Sequence, residues 1–261
     1  MTRSRVPRPI FLLAATVALC SGCASLAPGG TGAKGREPAA LPRPGREFRG
    51  LWVATVSNLD WPSRRGLSPE EQQAEAIDIL DRAVELRFNA IVLQIRPSGD
   101  AFYQSSKEPW SIFLSGTMGE DPGYDPLAFW IAQAHRRGLA LHAWINPYRV
   151  GLPGLESEDY AASSPVRALP ELARSLGSKG YWWLDPGNPK AQAYVLGLLD
   201  EVVSNYAIDG LVLDDYFYPY PDYYDKGGDF PDEGEFAAAK RAGFRGTLGD
   251  WRRANIDSFV R

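Results

Sequence analysis

Residues 208–219 read Ile-Asp-Gly-Leu-Val-Leu-Asp-Asp-Tyr-Phe-Tyr-Pro, an apolar run that ends in two carboxylates and a group of aromatic side chains. The apolar part is too short for a helix, and its composition is typical of a parallel strand covered on both faces. Ligands bind at the carboxyl ends of the strands in parallel α/β proteins, so Asp214 and Asp215 lie where chemistry is expected. Two acids after a strand also occur in solvated turns and helix caps, but the aromatic run that follows favours a binding site.

Strand and helix patterns alternate along the rest of the chain. Further strands are predicted at 51–56, 90–95 and 139–145, and a short helix is predicted at 171–176. Longer helices are predicted to begin at Ser68-Pro69, Asp125-Pro126 and Asn188-Pro189, where a capping residue precedes a proline. Such β-α units predict a parallel sheet with right-handed crossovers.

The fold class expected from this order is α/β, and a closed (β/α)8 TIM barrel is favoured over an open doubly wound sheet. Each strand is followed by polar and aromatic residues, as at the catalytic face of a barrel, and no glycine-rich phosphate turn follows the first strand. Four clear strands are half of what a barrel contains. We therefore expect a barrel that is incomplete at the C-terminus of this chain.

The first residues have the pattern of a secretory leader. Three arginines precede the apolar run 10–19, and small residues then precede Cys23, so residues 1–23 are predicted to be a signal peptide. The Ser-Gly-Cys ending resembles a bacterial lipobox, which implies cleavage before Cys23 and lipidation of its thiol; an uncleaved anchor is the alternative. Residues 24–47 are rich in Gly, Pro and Ala and predict a flexible tether, which leaves 48–261 as the folded domain.

Composition and motif content exclude several classes of function. The chain has 32 acidic and 28 basic residues among 261, without the basic stripe that nucleic-acid binding requires. Two histidines, without a metal-ligand spacing, give no support for a catalytic metal, and no cofactor is expected. No Gly-x-Ser-x-Gly elbow is present. A loop of acids can bind calcium through hard oxygens, although a solvated loop is favoured: Asp222, Asp225, Asp229, Asp232 and Glu233.

Several segments together resemble one family, the bacterial family-10 glycosyl-hydrolase-like proteins, many of which are lipoproteins. The matching segments follow the family's order: 48–56, 100–103, 123–127, 142–149, 209–219 and 251–255. The resemblance implies a TIM-barrel glycoside hydrolase, with peptidoglycan strands as a suspected substrate, and further strands after Arg261. Segment 209–214 also resembles the fourth-strand motif of α-amylase-like barrels, in which the last aspartate is the nucleophile, and this points to Asp214.

Glycoside cleavage requires two carboxyl groups across the scissile bond. Asp214 is the candidate nucleophile or base. Asp215 points to the opposite face if the backbone is still extended there, whereas a turn that begins between the two residues removes that constraint. The partner acid is left open between Glu233, Glu235 and residues beyond Arg261.

Polar and aromatic residues near the strand ends are candidates for sugar binding. Arg96 can hold a carboxylate or a hydroxyl, and flat rings offer stacking surfaces. The alternatives are that His142 is a core residue, that Asn146 and Arg149 only fix a loop, and that Asp185 ends a strand. The hydrogen-bonding candidates are Arg96, His142, Asn146 and Tyr148; the stacking candidates are Trp61, Trp110, Trp144, Tyr216 and Tyr218; the tryptophans expected in the core are Trp52, Trp130 and Trp182.

The sequence thus predicts an exported, lipid-anchored glycoside hydrolase that acts on a cell-envelope polysaccharide. The rival hypothesis is a non-catalytic glycan-binding or envelope-interaction protein, because a barrel supports many functions. A second carboxyl close to Asp214 across an open groove favours the enzyme.

Overall fold

The structure, a computed structural model, describes residues 47–261. The expected signal peptide, Cys23 and residues 24–46 of the expected tether lie outside the described residues. The strands are β1 (Gly50–Val53), β2 (Ala90–Arg96), β3 (Ala140–Ile145), β4 (Arg149–Gly151), β5 (Ala173–Ser175), β6 (Trp182–Leu184) and β7 (Gly210–Leu213). The helices are α1 (Pro69–Glu85), α2 (Ile112–Ser115), α3 (Pro126–Arg136), α4 (Pro165–Ala168), α5 (Pro189–Asn205), α6 (Glu233–Arg241) and α7 (Leu248–Val260).

The main sheet is parallel and has the order β1-β2-β3-β7. The first three strands are joined by α1 and α3, and α5 precedes β7, so the sheet and its helices form an incomplete α/β barrel. The four predicted strands are confirmed, with the first shorter than expected. Their carboxyl ends lie at one edge of the sheet, and the loops that follow them form the candidate site.

The predicted helix starts are confirmed by their caps. Ser68 and Glu71 form a capping box at the start of α1. The Asp125 carboxylate accepts a hydrogen bond from the Ala128 amide at 3.0 Å, and Asn188 caps α5 through the Lys190 amide at 2.9 Å. In each case proline occupies the first helical position, where its missing N–H removes no helical hydrogen bond.

A second sheet, which is antiparallel and has the order β4-β6-β5, follows the third parallel strand. The helix predicted at 171–176 is wrong, because this segment contains β5 and pairs with β6. A single helical turn has little intrinsic stability, and pairing with a neighbouring strand satisfies the same backbone groups. The short helix of this region is α4, which begins after Ser164.

Two apolar clusters form the core. One lies between the parallel sheet and its helices and includes Leu80, Ile91, Trp130 and Leu141; the other surrounds the antiparallel sheet and includes Val150, Trp183, Leu184 and Phe230. Trp130 is a core residue as predicted. Trp182 packs only partly buried against the second cluster.

Trp52 corrects the expectation of a core tryptophan. It is 46% exposed and its ring meets that of Trp144 edge to face, with centroids 5.0 Å apart. The two rings lie on the face of the sheet opposite the helices, because residues alternate between faces along a strand and the buried residues of β3 are Leu141, Ala143 and Ile145.

None of the helices in 47–261 combines the length and apolarity needed to cross a bilayer.

Candidate active site

The two aspartates that follow β7 line one pocket. The Asp214 amide donates to Ile145 O at 3.2 Å and continues the sheet, and the Asp214 carbonyl accepts from Trp144 Nε1 at 3.1 Å. At Asp215 the backbone turns to a φ of +143°, which is uncommon for a residue with a side chain. The chain has therefore left the extended conformation, and the alternative of a turn between the two acids is the one observed.

This carboxylate pocket has a volume of 390 Å³. Its walls come from the ends of β3 and β7 and from the loops that follow them. It is lined by Trp144, Asn146, Arg149, Asp214, Asp215, Tyr216 and Tyr220. Carboxylates, one guanidinium and flat rings in a single pocket provide the groups that bind and cleave a sugar.

The two carboxylates have unequal surroundings. Asp214 is exposed, whereas the Asp215 side chain is 8% exposed and lies beside Arg149, with Arg149 Nη2 2.9 Å from Asp215 Oδ2. Burial raises the pKa of Asp215, and the charge of Arg149 and the Tyr216 amide oppose that rise. The Asp214 carboxylate is therefore accessible to a ligand, whereas the Asp215 carboxylate is buried and paired with Arg149.

Arg96 fixes the segment that leads to Arg149 through hydrogen bonds inside the protein. The Arg96 guanidinium is fully buried and makes two hydrogen bonds to Glu108, of 2.7 and 2.5 Å. It also donates to the carbonyl of Asn146, and at 3.3 Å to that of Pro147. The expectation that Arg96 binds sugar is wrong, since no part of its side chain is exposed and its donors face these internal acceptors.

Asn146 also belongs to this support. Its side chain lines the pocket, yet Nδ2 donates to Pro97 O at 2.8 Å and Oδ1 accepts from Gln94 Nε2 at 3.3 Å. Both polar ends are used inside the protein. The structure favours the alternative in which Asn146 fixes the loop.

Two further candidates for sugar binding are core residues. Trp61 is fully buried, donates from Nε1 to Gln72 O at 2.9 Å and packs edge to face against Trp130. Tyr148 is fully buried, and its ring lies beside that of Phe259 with centroids 5.4 Å apart. Neither ring has a face left for a sugar, so both expectations are corrected.

The remaining candidates are spread over different surfaces. His142 is partly exposed on the open face of the sheet, beside Phe48 with ring centroids 5.1 Å apart. Trp110 is partly buried against the first core cluster and does not line the carboxylate pocket. Tyr216 lines that pocket and is 37% exposed, whereas Tyr218 packs away from it, against Phe230 and Arg252.

Sequence reasoning missed part of the rim of the pocket. Tyr220 is 53% exposed with its ring centroid 3.8 Å from that of Tyr216, and Tyr223 lies between Tyr216 and Tyr181, at 5.9 and 4.5 Å. The density of tyrosines after β7 was the available signal. The charge contact of Arg149 was missed because its partner is distant in the sequence.

Three acids of the loop after the pocket have partners inside the protein. Asp229 and Asp232 accept from Arg252, and Asp225 accepts from Ser178. Glu235 pairs with Arg174 at 2.9 Å, and neither it nor Glu233 lines the carboxylate pocket. Within 47–261, no group of three or more His, Cys, Asp or Glu side chains is arranged to hold a metal ion.

Comparison with known proteins identifies the family. Residues 47–261 match the family model described as "Glycosyl hydrolase-like 10". The chain is 41% identical to glycosyl hydrolase YngK of Bacillus subtilis (strain 168) over 216 residues, which covers 83% of this chain and 41% of YngK. It is 35% identical to glycosyl hydrolase DigH of Escherichia coli (strain K12), which covers 98% of this chain and 60% of DigH.

Among solved structures, alpha-L-fucosidase isoenzyme 2 from Paenibacillus thiaminolyticus is similar at 16% identity with a TM-score of 0.47, over 82% of this chain and 31% of that one. The chain spans less than two thirds of the length of YngK and of DigH. The family match covers every residue that the structure describes. This chain belongs to the glycosyl hydrolase-like 10 family.

Proposed function

We propose that this protein is a glycoside hydrolase that acts on a cell-envelope polysaccharide, such as the glycan strands of peptidoglycan. The observation that carries the proposal is the presence of Asp214 and Asp215 in one pocket, beside exposed aromatic rings, at the carboxyl end of a parallel strand. This is the position at which barrel enzymes hold their catalytic residues. The names of the two glycosyl hydrolase relatives support the same reaction class.

In this proposal the unequal carboxylates have different roles. Asp214, which is exposed, is the nucleophile or base that approaches the sugar. Asp215 is the second carboxyl, and Arg149 fixes its orientation. Burial raises the pKa of Asp215, and a carboxyl whose pKa is raised in this way is typical of the acid in a hydrolase. Tyr216 and Tyr220 supply stacking surfaces beside these acids.

The test is release of soluble fragments from purified peptidoglycan, with and without stem peptides, by wild type and Asp214→Asn. We expect the substitution to lower the rate by about a hundredfold or more, because a positioned acid or base contributes roughly 10²–10⁴-fold. Asp78→Asn, an exposed site on α1, is the matched control and is expected to keep the wild-type rate. Circular dichroism should show the same fold in all three proteins.

The outcomes separate the enzyme from its rival. If wild type binds glycan strands but releases no fragments, the protein is a glycan-binding protein and the hydrolase proposal fails. If Asp214→Asn cleaves as fast as wild type, cleavage does not use this carboxylate and the assignment fails.

We further propose that the protein is exported and anchored by lipid at Cys23, which follows three small or polar residues after an apolar run. Cys23→Ser is expected to lose incorporation of a metabolically supplied fatty acid and to leave the membrane fraction, with Cys20→Ser as the control. If Cys23→Ser still partitions with membranes after the label is lost, the anchor is not this thiol.

A further inference from the structure

A second pocket adjoins the carboxylate pocket and has the opposite charge. It has a volume of 580 Å³ and shares one residue, Arg149, with the carboxylate pocket. Its other lining residues include Arg65, Phe113, Leu152, Leu155 and Tyr181. The two arginines are the charged residues of this lining, and no acid takes part in it, although acids outnumber bases in the chain.

Both arginines have capacity for a further partner. Arg65 is exposed, its guanidinium lies 5.0 Å from the centre of the Phe113 ring, and it takes part in none of the salt bridges formed within 47–261. Arg149 contacts one carboxylate, and its Nε is buried without a hydrogen-bond partner among the described residues. The Arg149 side chain as a whole is 13% exposed, so part of it is accessible to a ligand.

A row of rings connects the two pockets. Tyr181 lines the second pocket, Tyr216 lines the first, and Tyr223 contacts both. Rings of this kind provide stacking surfaces for successive sugars. The two pockets are therefore linked by a shared cation, Arg149, and by neighbouring tyrosine rings.

We propose that the second pocket, which we call the arginine subsite, binds a sugar unit that carries a carboxylate while the neighbouring glycosidic bond lies at Asp214. The inference rests on the proposed glycosidase function. Arginine is the side chain best suited to this role, because its planar fork matches a carboxylate and keeps its charge at every accessible pH. Leu152 and Leu155 add apolar surface to the lining beside the two arginines.

The experiment compares two forms of one glycan on the full-length protein carrying Asp214→Asn, so that the ligand is not consumed. One form is peptide-free peptidoglycan strands with their carboxylates intact, and the other is the same strands after the carboxylates are reduced to alcohols. Arg65→Gln is expected to weaken binding of the intact strands about tenfold, which corresponds to one charge-assisted contact. Binding of the reduced strands should not change.

Arg64→Gln is the matched control, because Arg64 is exposed next to Arg65 but does not line the pocket. It is expected to leave both affinities unchanged. The arginine subsite is refuted if neither form of the glycan binds, or if both forms bind with equal affinity to the protein that carries Asp214→Asn alone. It is also refuted if Arg64→Gln and Arg65→Gln have the same effect.

The two proposals fail in distinguishable ways. Suppose that the protein with Asp214 present cleaves neither form, but that its binding of the unreduced strands depends on Arg65. The hydrolase proposal is then wrong and the arginine subsite is supported. If the protein cleaves both forms with equal kcat/KM and Arg65→Gln alters neither, the hydrolase stands and the subsite is wrong.

Discussion

Replacing Glu108 by alanine is expected to lower the free energy of unfolding by about 3–5 kcal/mol, because it leaves a buried guanidinium without its counter-charge. The side chains of Glu108 and Arg96 are fully buried and joined by two hydrogen bonds. Tyr194 Oη, which donates to Glu108 Oε1 at 3.2 Å, loses its acceptor as well. Domains of this size unfold with about 5–15 kcal/mol in total, so the variant should be close to its stability limit.

Urea unfolding followed by tryptophan fluorescence measures this change. Glu85→Ala is the control, since Glu85 forms an ion pair with Arg82 in which both side chains are about two-thirds exposed, at 65% and 67%. Exposed pairs of this kind contribute about 0–1 kcal/mol. Glu108→Gln keeps one acceptor for Arg96, so its loss in the free energy of unfolding should lie between those of Glu108→Ala and Glu85→Ala. A loss below about 1 kcal/mol for Glu108→Ala would show that Arg96 can reach water when its partner is removed.

Asp185→Asn is expected to stabilise the protein at pH 8 by about 2–4 kcal/mol and to have little effect near pH 4.5. Asp185 is fully buried after β6, and Oδ2 has no hydrogen-bond partner among residues 47–261. Burial raises the pKa of Asp185 to about 7, with Glu235 and Asp232 adding to the rise and Gly187 N–H and Arg174 opposing it. In wild type the Gly187 N–H donates to Asp185 Oδ1 at 2.7 Å. Asparagine has the shape of the neutral acid and keeps this acceptor.

The direction of the pH effect follows from proton binding. The folded state holds the Asp185 proton to about pH 7, whereas the unfolded chain releases it near pH 4. Unfolding in this interval therefore releases a proton, and the stability of wild type falls as pH rises from about 4 to 7. Urea midpoints from pH 4.5 to 8 should show this slope in wild type and in Asp78→Asn, but a smaller slope in Asp185→Asn. Equal slopes in all three proteins would mean that Asp185 is ionised at low pH in the folded state.

The elements with local signals could be predicted from the sequence. Helix starts depend on a capping side chain and a proline within a few residues, as at Ser68-Pro69 and Asn188-Pro189, and parallel strands depend on short apolar runs. The antiparallel sheet depends on pairing between β4, β5 and β6, which are separated by loops. Nothing local distinguishes residues 173–175 from a helical turn, so the prediction failed there.

The candidate site was predicted in position but only partly in composition. Asp214 and Asp215 could be located from the end of their strand. Arg96 is the last residue of β2, and Asn146 and Tyr148 follow β3, yet all three are buried. The direction of a side chain near the end of a strand depends on distant contacts such as that of Arg96 with Glu108. The partnership of Arg149 with Asp215 is equally non-local.

The carbonyl contacts of Arg96 have a consequence for motion. The guanidinium joins the end of β2, the loop before α2 and the residues that lead into β4. We therefore expect the backbone amides of these segments to exchange their hydrogens as one cooperative unit rather than as separate loops. In that case the wall formed by Asn146 and Arg149 is held in place by internal contacts before any ligand arrives. A preorganised wall spares the ligand the entropy of ordering a loop, and selectivity between glycans depends on the fit of the sugar to a fixed surface.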